Sequence, residues 1–130
     1  MNQDLVATMP LAKKLGVAVT EATPELVEGY LDVGDDLCTL GGTLHGGAIM
    51  ALADSLGAIA AFLNLPDGAQ GTTTVESKTN FLRAAPAGTR VTAVTKPLSV
   101  GRRLSVLNTT VTGEDGKAVA VITQTQLVLQ

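Results

Sequence analysis

Downstream of Gly71 the chain alternates between apolar and polar residues. Residues 72–82, 89–96, 103–112 and 118–129 are rich in Val, Ile and Thr, and short stretches bearing Gly or Pro part them. Period-two alternation with β-branched side chains predicts strands. The breaks fall at 84–88, at Pro97 followed by Ser99-Val100-Gly101, and at Asp115-Gly116, a pair suited to a tight hairpin. Four consecutive strands joined by short turns read as an antiparallel meander. Upstream, residues 10–15 open on Pro10 and stop at Gly16, the punctuation of a short helix. Residues 17–20 and 26–33 are strand candidates, the second with Val27, Gly29, Leu31 and Val33 on one face.

Between these blocks the period changes. From Gly46 to Leu63 the only formal charge is Asp54. A run apolar on all sides is a core helix or a membrane span. The helix is expected from just after His45 to about Asn64, with Pro66-Asp67-Gly68 ending it. A bilayer span is the competing reading, since ~20 apolar residues suffice. Against it stand Gly46, Gly47 and Gly57, the lack of Lys or Arg at either flank, and Asp54 itself. A mid-span Asp costs about 2.5–3.5 kcal/mol on insertion scales. Two strands, one long buried helix and four strands predict an α+β domain over residues 1–130, one sheet curling around one helix.

Composition narrows the partners. With 130 residues the chain can bury a core without staples. Two Phe, one Tyr and no Trp leave that core to Val, Leu, Ile and Ala. A net charge of −3 gives a nucleic-acid partner no electrostatic support. The single cysteine, Cys38, cannot form an internal disulfide, and Met1-Asn2-Gln3-Asp4 lacks the basic start of a signal peptide. A reducing cytoplasm is the expected location.

Asp54 is the foremost candidate for chemistry. An isolated buried carboxylate costs on the order of several kcal/mol. No cation stands at i±3 or i±4, where Met50, Ala51, Gly57 and Ala58 sit. Asp54 is therefore paired elsewhere, neutral, or lining a cleft, and there it can act as general base or nucleophile. Gly46 and Gly47 open the helix, where backbone N–H groups lack intrahelical partners. They can hold an oxyanion, or they simply let the loop approach the sheet. His45, the only histidine, is a candidate catalyst or cap, and without a second ligand it predicts no metal site. Arg102 and Arg103, beside Gly101, suit phosphate contacts or a solubilising hairpin end.

Spacing adds a constraint. His45 and Asp54 are nine positions apart, which is roughly 13 Å of helix axis. Both can serve one site only if a second copy of the helix runs antiparallel beside the first, which predicts a homodimer with two equivalent sites.

Several motifs together resemble the hotdog-fold thioesterase superfamily, in the branch of acyl-CoA thioesterases related to phenylacetyl-CoA thioesterase. They are Gly42-Thr43-Leu44-His45-Gly46-Gly47, Leu52-Ala53-Asp54, residues 80–88 from Asn80-Phe81 to Ala87-Gly88, Gly101-Arg102-Arg103, and residues 115–120 from Asp115 to Ala120. The resemblance implies a curved antiparallel sheet wrapped around one long central helix, paired into dimers and into dimers of dimers. It implies an acyl-CoA substrate, with coenzyme A as part of that substrate and no other cofactor. It makes Asp54 the catalytic carboxylate and gives the Gly46 N–H of the partner subunit the task of polarising the thioester carbonyl. His45 and Gly47 shape that end, and Thr74 matches a Ser/Thr position that helps place the water. Arg102 and Arg103 fall where coenzyme A phosphates are often met. One position departs: six before the histidine, where Asn or Gln is frequent, this chain has Thr39. That departure motivates the alternative of a non-catalytic acyl-CoA-binding protein. A hydratase on the same fold is a third reading, and its usual motif is absent.

Overall fold

The computed structural model describes residues 2–130. Two short helices, α1 (Asn2–Ala7) and α2 (Pro10–Leu15), lead the chain. The sequence pattern predicts only the second. Among the described side chains of helix α1, Val6 is buried and Leu5 partly so, too little for a periodic signal. Strands β1 (Ala18–Ala22) and β2 (Val27–Asp32) follow, then a 3₁₀ turn (Asp35–Leu37) and a small hairpin of β3 (Cys38–Thr39) and β4 (Thr43–Leu44). Helix α3 spans Gly46–Leu63, and β5 (Gly71–Phe81), β6 (Arg90–Val100), β7 (Leu104–Thr112) and β8 (Ala118–Leu129) complete the chain.

Six strands form one sheet in the order β1-β2-β6-β7-β8-β5, antiparallel at every pairing. The expected four-stranded meander is corrected to three, β6-β7-β8. Strand β5 does not pair with β6. It lies at the far edge against β8, and β2 takes the place beside β6. The segment after β5 is therefore a crossing rather than a hairpin. It is stitched to the β3–β4 hairpin, with the Leu44 N–H donating to the Ala85 carbonyl (2.8 Å) and the Ala87 N–H to the Gly42 carbonyl (2.9 Å). Alternation marks a strand but carries no information about its neighbour.

The predicted stop at Pro97 is also corrected, because β6 runs on to Val100. Its last partner on β2 is opposite Thr95, so Pro97 lies where that side of β6 is already an edge. The register shifts between Pro97 and Ser99. Proline is tolerated at such edges and bulges.

The concave face of the sheet wraps α3, which touches β1, β2, β5, β6, β7 and β8. Ile49, Leu52, Ala53, Leu56, Ile59 and Ala60 of α3 meet Leu31, Val91, Leu107, Val111 and Ile122 in the core. At roughly 1.5–3 kcal/mol per buried aliphatic side chain, this layer is the main source of stability. The helix is long and apolar enough to cross a bilayer, with a mean hydropathy of 1.7, but here it is the core helix of the sheet.

Burial on all sides is not what the structure shows. A stripe of α3 made of Gly47, Met50, Ala51, Asp54, Ser55, Ala58 and Phe62 is exposed or half-exposed. Asp54 is accordingly exposed within one chain, against the expectation of a buried carboxylate. The sheet can cover only one side of a helix, and α2 and the residues around it flank the other without burying it.

Candidate active site

The exposed stripe has chemistry at two places. At its start, His45 is the N-cap, with extended backbone (φ −61°, ψ 135°). Its Nδ1 accepts the Gly47 N–H at 2.8 Å. Its carbonyl accepts from Ala48 (2.9 Å) and Ile49 (3.2 Å), and its own N–H donates to the Leu37 carbonyl (2.9 Å). The imidazole thus satisfies one orphan donor of the helix start. Both glycines have packing reasons. A Cβ on Gly47 would stand 2.9 Å from His45 Nδ1, and one on Gly46 would stand 3.2 Å from the Phe81 ring. The two N–H groups differ, however. That of Gly47 is committed to His45, whereas that of Gly46 has no acceptor among the described residues. A cavity of about 320 Å³ lies here, lined by His45, Gly47, Ala48 and Ala51 among others.

Asp54 sits eight residues beyond Gly46, roughly 12 Å along the axis. Thr74 of β5 faces it, and the Thr74 hydroxyl donates to Asp54 Oδ1 at 2.8 Å. The β5 register breaks between Thr74 and Glu76. Such a bulge re-aims a side chain, and here it leaves Thr74 opposite Gln126 of β8, whose amide Nε2 reaches Thr74 Oγ1 at 2.6 Å. Beside this group, one turn along α3 and two residues back along β5, is an apolar cavity of about 490 Å³ whose lining includes Leu5, Met9, Ala58, Ile59, Phe62 and Thr72.

Of the predicted residues, the structure joins Asp54 with Thr74, and His45 with Gly47. It does not join the two groups to each other within one chain. Thr39 is exposed in the β3–β4 hairpin, on the His45 side of α3. Arg102 and Arg103 are exposed at the β6–β7 turn, where they line a separate shallow cavity of about 470 Å³ with Leu127, Val128 and Gln130. Ser55 is no rival nucleophile, since its hydroxyl donates to the Ala51 carbonyl (2.7 Å). Among the described residues no group of three or more His, Cys, Asp or Glu could hold a metal ion. Sequence reasoning missed Gln124 and Gln126, both buried beneath Asp54. Their phase, two and four residues after Ile122, gives no signal by itself, because Val121, Leu127 and Leu129 make the opposite face of β8 equally apolar.

Comparison with known proteins identifies the family of the chain. The thioesterase superfamily profile matches residues 41–120. A mutant of a thioesterase from Pseudomonas aeruginosa superposes with a TM-score of 0.91 at 29% identity, over 99% of this chain and 94% of that one. A mutant of the phenylacetic acid degradation protein PaaI from Thermus thermophilus gives a TM-score of 0.84 at 32% identity, over 92% and 99% of the two chains. The 1,4-dihydroxy-2-naphthoyl-CoA hydrolase of Escherichia coli is 40% identical over 76 residues, 58% of this chain and 54% of that protein. The chain belongs to the thioesterase superfamily, and it is a thioester hydrolase with the hotdog fold.

Proposed function

We propose that the protein hydrolyses acyl-CoA thioesters to a free acid and coenzyme A, at two equivalent sites of an antiparallel homodimer. The observation that carries this is the exposed apolar stripe of α3. It holds an open backbone donor at Gly46 and an anchored carboxylate at Asp54, about 12 Å apart. Two copies of the stripe packed antiparallel cover each other's apolar residues. They also bring Asp54 of one subunit toward Gly46 of the partner subunit.

In each site Asp54 takes a proton from water, and the water oxygen adds to the thioester carbonyl. The oxyanion that forms faces the Gly46 N–H of the partner subunit at a positive helix end. The C–S bond then breaks, and the sulfur leaves with the proton that Asp54 received. Direct attack by the carboxylate, followed by hydrolysis of the anhydride, uses the same groups. Coenzyme A enters as part of the substrate, and no other cofactor takes part. The apolar cavity beside Asp54 receives the acyl group. Arg102 and Arg103 meet the phosphates of coenzyme A. The hydrolase of Escherichia coli, whose name specifies a CoA thioester, supports this substrate class.

The outer sheet face exposes Leu104, Leu127 and Leu129, and we assign contact between dimers to it. The single free cysteine fits a cytoplasmic location.

The test is thiol release from a panel of short, medium, long and aryl acyl-CoAs, with Asp54→Asn beside the wild type. Release by the wild type and a loss of at least about a hundredfold in the variant are expected. Equal release by both would remove Asp54 from the mechanism, and no release from any member would overturn the acyl-CoA assignment.

A further inference from the structure

We infer that Gln124 and Gln126 of β8 are positioning residues that fix the direction of the Thr74 hydroxyl and, through it, the Asp54 carboxylate. The inference rests on the proposed role of Asp54.

Both amides are almost wholly buried, Gln124 at 0% and Gln126 at 1% exposure. Buried amides are costly unless bonded, by roughly 1–3 kcal/mol on mutational scales. A sheet core built of Val, Leu and Ala has no structural need for two of them. Their hydrogen bonds form a single chain whose polarity is set at one end. The Ala53 carbonyl can only accept, so Gln124 Nε2 donates to it, at 3.0 Å. That orientation turns Gln124 Oε1 toward Gln126, whose Nε2 donates at 2.7 Å. The same Nε2 directs its other hydrogen at Thr74 Oγ1, at 2.6 Å. A hydroxyl carries one hydrogen. With one lone pair engaged by the Gln126 donor, Thr74 spends that hydrogen on Asp54 Oδ1, at 2.8 Å.

Asp54 Oδ2 receives no protein donor among the described residues. One carboxylate oxygen is therefore pinned and the other is presented to the reacting molecule. The order also leaves Thr74 no hydrogen to donate to water. Its contribution is made through Asp54.

Gly57 makes the chain possible. A Cβ there would overlap the Gln124 side-chain amide, so only glycine leaves the slot through which Gln124 reaches the backbone of α3. Ala53 and Gly57 stand one helical turn apart, and the Ala53 carbonyl lies one residue before Asp54 on the helix. The anchor of the chain and the carboxylate at its far end are thus held by one turn of α3, which closes the loop through three elements, α3, β8 and β5.

The experiment compares Gln126→Leu in the wild-type background and in Thr74→Val, by kinetics and by NMR of the side-chain amides. In the wild-type background kcat is expected to fall about tenfold with KM held within about twofold, the mark of lost positioning rather than lost binding. In the Thr74→Val background the same substitution is expected to add nothing, because its path to Asp54 is already cut. Additive losses would make Gln126 a packing residue and overturn the inference. Gly57→Ala, which displaces Gln124 from the other end, is expected to reproduce the kinetic effect; wild-type kcat in that variant would also overturn it.

The NMR readout needs no turnover. Amide protons of Gln124 and Gln126 are expected to exchange slowly, and those of Gln126 to shift in Thr74→Val. Fast exchange, or unmoved resonances, would refute the hydrogen-bond chain itself. If the wild type releases no thiol while the amides behave as expected, the acyl-CoA hydrolase proposal has failed and the chain has not.

Discussion

The two ends of the exposed stripe on α3 are built by different means. At Gly46 the working group is a backbone N–H, placed by the start of the helix and needing only the absence of side chains around it. At Asp54 the working group is a side chain that the helix presents but does not orient. Orientation comes from Thr74 on the edge strand, and behind it from Gln126 and Gln124 on the next. The first end is donor-rich and local in sequence. The second is an acceptor held by contacts 20 and 52 positions apart in the chain. On the proposed mechanism one helix carries both the electrophile-binding half and the nucleophilic half of a site, about 12 Å apart, and the functional unit it calls for is the helix pair.

This comparison breaks most visibly at Gly46. Gly46→Pro removes the N–H at the first helical position, where proline is tolerated. Gly46→Ala keeps the N–H but places a Cβ against the Phe81 ring at 3.2 Å. The proline variant is expected to lose about a hundred- to a thousandfold in kcat, the usual consequence of removing one oxyanion donor. The alanine variant is expected to lose far less. Equal losses would reduce Gly46 to a packing residue. Mixing then tests whether the halves belong to different subunits. Asp54→Asn and Gly46→Pro subunits, each inactive alone, form mixed dimers in which one site is whole. Recovery of roughly a quarter of wild-type activity is expected after equal mixing, and no recovery would place both groups in one chain's site.

A smaller effect is expected at the β6–β7 turn. Replacing Arg102 and Arg103 by Gln should raise KM several-fold for full coenzyme A thioesters and leave kcat unchanged, because the contact is to phosphate and remote from the reacting bond. Thioesters of the same acids with a short, phosphate-free thiol should show no change in KM. A rise for both classes would mean that the arginines support the fold rather than the nucleotide.

The difference between the ends also decides what the sequence could reveal. The helix start, the strand content and Asp54 were legible because each is local: a glycine pair, a period, a lone charge in an apolar run. Thr74 came from resemblance alone. The amides of Gln124 and Gln126 were not legible, since both faces of β8 read as plausible interiors. Ile122 and Val128 share the phase of the glutamines, while Val121, Leu127 and Leu129 share the opposite one. Only the packed helix decides between them. The swing of β5 to the far edge was hidden for the same reason. Strand identity is written in a few adjacent residues, whereas strand order depends on the crossing over residues 82–89 and its bonds to a hairpin forty positions earlier.

The smallest effect is expected at an ion pair that shares no hydrogen bond with either end, and it serves as their reference. Asp32 and Arg90 are register partners at the β2–β6 pairing. The guanidinium donates through Nε to Asp32 Oδ1 at 2.7 Å and through Nη2 to Oδ2 at 3.2 Å, and it lies 3.7 Å from the centre of the Tyr30 ring. The hydrogen bond from Arg90 holds the Asp32 carboxyl below its ordinary value. A carboxyl whose folded-state pKa is depressed adds stability above its unfolded value, and loses that stability as pH falls through the folded one. Both partners are exposed, so the contribution is small and salt-sensitive. Asp32→Asn should therefore leave turnover unchanged and lower Tm slightly at neutral pH, with the difference vanishing below the carboxylate range or in high salt. A Tm difference that persists in acid would assign the effect to packing around Tyr30 rather than to charge. A change in turnover would show that the β2–β6 pairing is coupled to the site.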